Sequence, residues 1–154
     1  TTVKIYLPQI AVVERDCPGP GFVTTARAVR EETILVVEDN DAVRSFTTDT
    51  LREFGLTVIE AADAADALKI LHRNRQIDLL FTDIGLPGMN GRELAATVHG
   101  LYPKLHVLFT SGYAQMPRIT STAAPLDIPL LSKPFTRAEL YQQICQSLDE
   151  SAPI

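Results

Sequence analysis

The chain has little of what would mark a disulfide scaffold, a zinc module or a membrane protein. It holds two cysteines, Cys17 and Cys145, with no CxxC pair and no Cys/His ligand spacing. Two reduced thiols in a cytoplasmic protein are a simpler reading than a disulfide framework. The three histidines, His72, His99 and His106, are scattered and show no metal-ligand spacing. No apolar run approaches the roughly 18 residues of a membrane span, and the opening residues do not read as a signal peptide. Basic runs and aromatic–basic interleaving are absent as well. With a net charge of -5 and a pI near 5.1, the composition argues against a nucleic-acid-binding surface. The sequence opens on Thr1 rather than methionine, which suggests a processed or excised fragment.

What is present suits one domain with a real core and a tail or two: 154 residues, 45% of them hydrophobic. Thr2 to Leu7 alternates like a single amphipathic strand, stopped by Pro8, and Asp16-Cys17-Pro18-Gly19-Pro20-Gly21 is a clear linker signal. From Thr33 a regular beat of strand and helix sets in. Ile34 to Val37 is wholly apolar, as suits a parallel strand covered on both faces. Asn40 or Asp41 caps a helix with Val43, Phe46, Thr50, Leu51 and Phe54 on one stripe, stopped by Gly55. Leu56 to Ile59 is a second strand, and Asp63 caps a helix whose Ala67, Leu68 and Leu71 face inward. A third strand, Asp78 to Thr82, runs into Asp83 and a loop broken by Gly85, Pro87 and Gly88. Asn90 opens a third helix with Leu94 and Val98, closed by Gly100, and Leu105 to Phe109 forms a fourth strand. Between Tyr113 and Pro129 three prolines and a Ser/Thr run predict only a short or irregular fourth helix. Leu130 to Ser132 is a brief fifth strand. Thr136 and Glu139 form a capping box for the last helix, with Phe135 stapled to Leu140.

Five strands joined through helices imply a parallel sheet, and the doubly wound order 2-1-3-4-5 closes it naturally. That order brings the C-terminal ends of strands one and three side by side, carrying Glu38-Asp39 and Asp83. Three carboxylates in one crevice oppose one another's ionisation, a difficulty that a hard divalent cation such as Mg²⁺ removes. Lys133, after the fifth strand, reaches the same mouth, and Thr110, ending the fourth, adds a hydroxyl. Each residue alone has a plainer reading. Asp83 fits a turn or cap, Glu38-Asp39 a helix N-terminus, Lys133 the surface and Thr110 an ordinary strand end. All four strand ends supplying suitable groups in one fold favours the joint, functional reading.

Ile34-Leu35-Val36-Val37-Glu38-Asp39-Asn40, Thr82-Asp83-Ile84-Gly85-Leu86-Pro87-Gly88-Met89-Asn90-Gly91, Phe109-Thr110-Ser111-Gly112 and Leu131-Ser132-Lys133-Pro134-Phe135 closely resemble the receiver domain of two-component response regulators. The match runs in order from about Glu32 to Ser147. The resemblance implies a flavodoxin-like fold in which Asp83 accepts a phosphoryl group from a histidine kinase or a histidine phosphotransfer domain. It further implies Mg²⁺ held by Glu38, Asp39, Asp83 and the backbone carbonyl of Gly85. Lys133 would contact the phosphoryl oxygens across a cis Lys133-Pro134 bond, and Thr110 would move toward them. Two departures stand out. Leu130 occupies a position where receivers usually carry an aromatic residue. The Pro/Ser/Thr-rich stretch weakens the fourth-helix face through which transcription-factor receivers form homodimers, and modification of Asp83 is expected to act on the order of that stretch.

Thr1 to Pro8 resembles the last strand of a histidine-kinase ATP-binding domain. On that reading residues 1–8 end a kinase domain, 9–32 form a linker, 33–149 a receiver and 150–154 a tail, making the chain the C-terminal part of a hybrid kinase. The receiver is then a phosphoacceptor rather than a conventional enzyme. It has no Gly-rich nucleotide loop and no phosphohistidine helix. Gly85 stands where aspartate-nucleophile phosphohydrolases carry a second acid. A stand-alone regulator acting through a phosphorylation-dependent binding surface is the alternative.

Overall fold

The computed structural model describes residues 32–74, 76–112 and 128–149. The N-terminal strand, the linker with Cys17 and most of the stretch assigned to a fourth helix lie outside the described residues. The first strand, β1 (Thr33–Val37), has Ile34, Leu35, Val36 and Val37 each fully buried. Helix α1 (Asp41–Glu53) begins at Asn40, whose Oδ1 accepts the N–H groups of Ala42 and Val43, and ends before Gly55 at φ 84°. Asn40 rather than Asp41 is therefore the cap. Strand β2 (Thr57–Ala61), helix α2 (Ala64–Arg73) capped by Asp63, strand β3 (Leu79–Asp83), helix α3 (Gly91–Leu101) and strand β4 (His106–Ser111) follow. Strand β5 (Leu130–Ser132) and helix α4 (Arg137–Asp149) complete the described elements. At the start of α4, Thr136 and Glu139 exchange the two hydrogen bonds expected of their capping box.

The five strands form one parallel sheet in the order β2-β1-β3-β4-β5, the doubly wound order expected. Alternate residues of each strand serve opposite faces. Leu35, Val37 and Leu80 pack with Ala67, Leu71, Leu94 and Val98 of α2 and α3. Ile34, Val36, Leu79 and Phe81 pack with Leu51, Leu140 and Ile144 of α1 and α4. Fully burying one such side chain stabilises by roughly 1.5–3 kcal/mol, so β1 and β3, which carry the carboxylates of the site, are firmly held. No described helix is long and apolar enough to cross a membrane.

Three local expectations need correction. On α1 the residues facing the sheet include Thr47, Thr50 and Leu51, whereas Phe46 and Phe54 are each 40% exposed. These two rings sit on the flank toward α4, Phe46 near Phe135 and Phe54 stacked on Tyr141 at 4.3 Å. Strands β2, β3 and β4 each extend beyond their apolar runs, because ladder hydrogen bonding continues through Glu60, Asp83, Thr110 and Ser111. Gly100 does not close α3. The helix runs on to Leu101, and Tyr102 caps it, its N–H reaching Val98 and its hydroxyl donating to the Leu71 carbonyl at 3.2 Å.

Candidate functional site

The C-terminal ends of β1, β3, β4 and β5 converge on one mouth. Glu38 directly follows β1 and is 2% exposed, with its N–H donating to the Ala61 carbonyl. Asp39, next in the chain, is exposed. Asp83 is the last residue of β3, paired in register with Thr110 of β4. The Lys133 N–H donates to the Ser111 carbonyl, which draws the segment after β5 toward the mouth. From there its Nζ lies 2.6 Å from Glu38 Oε2 and 2.6 Å from Asp83 Oδ2. The Lys133-Pro134 peptide is cis. Asp83 Oδ1 accepts the Gly85 N–H at 2.9 Å. Glu38, Asp39 and Asp83 each present a carboxylate oxygen within 4.8 Å of the others. Thr110 is fully buried, and its Oγ1 has no hydrogen-bond partner among the described residues. The sheet thus brings together every side chain singled out at the strand ends.

A family model for the response regulator receiver domain matches residues 34–145. The chain belongs to that family. It is 34% identical to the response regulator receiver protein CpdR of Brucella abortus (strain 2308) over 111 residues, 72% of this chain and 92% of CpdR. It is 29% identical to the sensor kinase CckA of the same strain over 157 aligned residues, covering 97% of this chain but only 17% of that kinase. The crystal structure of the receiver domain of the hybrid histidine kinase CckA matches with a TM-score of 0.65 at 36% identity, over 76% of this chain and 99% of that one. The protein is thus a CheY-like receiver domain of a two-component system, a class that interacts with histidine kinases or phosphotransfer proteins.

The receiver's charges are unevenly compensated. Burial pushes the Glu38 carboxyl above its usual range, and the hydrogen bond and charge of Lys133 only partly pull it back, while Asp83 and Asp39 push further up. Burial would lower Lys133, but its hydrogen bonds to Asp83 and Glu38 outweigh this and hold it above its usual value. One ammonium therefore faces three carboxylates. An all-oxygen donor set with surplus negative charge is what a hard divalent cation requires, so these residues fit such an ion.

Two supporting residues were not found from the sequence. A Cβ on Gly91 would lie 2.2 Å from the carbonyl oxygen of Asp83, so only glycine lets α3 start this close to the end of β3. A glycine in the first turn of a helix, where alanine is the better helix former, was the available signal. Arg44, six residues after Glu38, donates from Nη1 to the Glu38 carbonyl at 2.7 Å. No local pattern announces that contact.

Proposed function

We propose that this receiver accepts a phosphoryl group on Asp83 from the phosphohistidine of a histidine kinase or phosphotransfer domain. Mg²⁺ would be held by Glu38, Asp39, Asp83 and the Gly85 carbonyl, with the protein acting in the cytoplasm. The observation that carries this reading is the Asp83 carboxylate at a central strand end, 2.6 Å from the Lys133 ammonium and clustered with Glu38 and Asp39. An Asp83 carboxylate oxygen attacks phosphorus, a new O–P bond forms, and the P–N bond to the donor imidazole breaks. The imidazole leaves with the bonding pair and takes up a proton. Mg²⁺, when bound, supplies positive charge to the phosphoryl oxygens. Lys133 supplies a second positive charge from the end of β5, and it is kept protonated by the carboxylates it serves. The Gly85 N–H fixes the rotation of the Asp83 carboxylate, leaving one oxygen toward Lys133. Thr110 offers a hydroxyl donor that nothing among the described residues uses.

We further assign the chain to the C-terminal part of a hybrid kinase, with residues 1–8 ending a kinase domain, 9–32 a linker and 33–149 the receiver. The alignment with CckA supports this, because it takes in 97% of the chain and so extends beyond residues 34–145. The stand-alone reading has its own support in CpdR, 92% of whose length is matched. The acceptor is tested by incubating the chain with Mg²⁺ and a small-molecule phosphodonor and reading intact mass. One phosphoryl adduct is expected, lost in Asp83→Asn. An undiminished adduct in that variant would refute the assignment.

A further inference from the structure

Arg44 lies on α1, outside the four strand ends, yet it grips the backbone of the carboxylate cluster. The Glu38 carbonyl oxygen that accepts from its Nη1 at 2.7 Å belongs to the peptide joining Glu38 to Asp39. One hydrogen bond therefore restrains ψ of the first carboxylate residue and φ of the second. The guanidinium is itself anchored on two further sides. Nη2 bonds the Asp41 carboxylate, and Nε lies 3.7 Å from Glu60 Oε2 on β2. Only 17% of the Arg44 side chain is exposed. The same corner is held by the Glu38 N–H on the Ala61 carbonyl and by the Asn40 cap. The Glu38 carboxylate also has Lys133 to orient it. For the Asp39 carboxylate no hydrogen bond or ion pair is found among the described residues. Its direction is set by its backbone, which is what Arg44 holds.

We propose that Arg44 is a positioning residue for cation binding, holding the Glu38–Asp39 peptide so that both carboxylates face the same ion. This rests on the reading of Glu38, Asp39 and Asp83 as cation ligands. Simple charge predicts the opposite effect. Removing a guanidinium next to an acidic cluster should tighten cation binding, whereas removing a clamp should weaken it. The sign of the change therefore separates the two.

The experiment is a calorimetric titration of the full chain with Mg²⁺ alone, repeated with Mn²⁺ followed by its electron paramagnetic resonance signal. Arg44→Met, Arg44→Lys and Glu60→Gln are compared with wild type, and circular dichroism confirms folding. Arg44→Met is expected to raise the dissociation constant roughly tenfold to a hundredfold, the range for partners that orient metal ligands. Arg44→Lys should recover part of the loss, since an ammonium can meet the carbonyl but cannot engage all three partners in a planar fork. Glu60→Gln keeps the guanidinium but removes one anchor, so it should weaken binding by a smaller factor. Arg44→Lys, which keeps the positive charge and changes only the geometry of the contact, decides the matter if Arg44→Met does not fold. Unchanged or tighter Mg²⁺ binding in folded Arg44→Met, or in Arg44→Lys where the first variant fails, overturns the role of Arg44. A wild-type chain that binds no Mg²⁺ overturns the cation-site reading, and this inference with it.

Discussion

Replacing Lys133 with methionine should destabilise the metal-free protein by an amount that grows with pH. Lys133 Nζ sits 2.6 Å from both Glu38 and Asp83, and these carboxylates lie within 4.8 Å of each other. Without the ammonium, two unit negative charges at that separation repel by about 3.5 kcal/mol at an effective dielectric near 20. The protein can evade this by leaving Glu38 protonated, as its carboxyl is already pushed upward by burial and loses the lysine that was pulling it back. A carboxyl with a raised folded value contributes stability that is complete below its ordinary value of 4.5 and is lost as pH rises through the raised one. In Lys133→Met the raised value moves higher still. The gap from wild type should therefore widen by up to about 1.4 kcal/mol for each pH unit over which only the variant holds the proton. Urea unfolding in chelator should show a loss of about 1 kcal/mol near pH 5.5 and about 2–3 kcal/mol near pH 8. A gap that is flat across that range, or a variant more stable than wild type at pH 8, would refute the electrostatic account.

Gly91→Ala places a Cβ against the Asp83 carbonyl at 2.2 Å, so thermal unfolding should register a loss of about 1–3 kcal/mol. The same variant should take up phosphoryl more slowly by intact mass, since α3 and the end of β3 must part. Asn90→Ala removes the cap whose side chain accepts from Arg92 and Glu93 while Glu93 bonds back, and chemical unfolding should show about 1 kcal/mol lost. Thr110→Val replaces a buried hydroxyl that has no partner among the described residues. The unmodified protein should melt at or above the wild-type temperature, while any stabilisation of wild type by a phosphoryl mimic on Asp83 should shrink.

The architecture was legible because each strand between Ile34 and Phe109 is a short apolar run bounded by turn chemistry. That pattern leaves little but a parallel sheet with helices on both faces. Asp83 was legible because an apolar run ends on it and a glycine–proline loop follows. Lys133 was legible because it comes directly after a strand too short to carry it elsewhere. What escaped lay where no periodicity speaks. The ends of β2 and β4 take in Glu60, Ala61 and Ser111, which pair through backbone groups that a hydropathy pattern does not report. The α1 face was misjudged because a helix flanked by α4 can cover Phe46 and Phe54 from the side, leaving smaller threonines against the sheet. Arg44 and Gly91 serve the site through contacts with main-chain oxygens, and a main-chain oxygen has no letter in the sequence.

If Asp83 accepts a phosphoryl group as proposed, the buried hydroxyl of Thr110 bears on how strongly that modification can act. Thr47, Thr50 and Ser147 also bury hydroxyls without partners among the described residues. They lie on helices, where a rotamer change brings the carbonyl three or four residues back within reach. Thr110 lies on β4, between β3 and β5, and carbonyls beside it are committed, its own to Ile84 and that of Ser111 to Lys133. A buried hydroxyl left without a partner costs about 1–3 kcal/mol. Asp83 is the register partner of Thr110, so a group with acceptor oxygens on that carboxylate can relieve the cost where the unmodified side chain does not. A free-energy difference of that size corresponds to a population shift of about 5- to 150-fold. On the proposed phosphoacceptor reading, a two-state equilibrium at the strand ends needs no larger driving term, and with Leu130 47% exposed at β5, the buried hydroxyl of Thr110 would supply it.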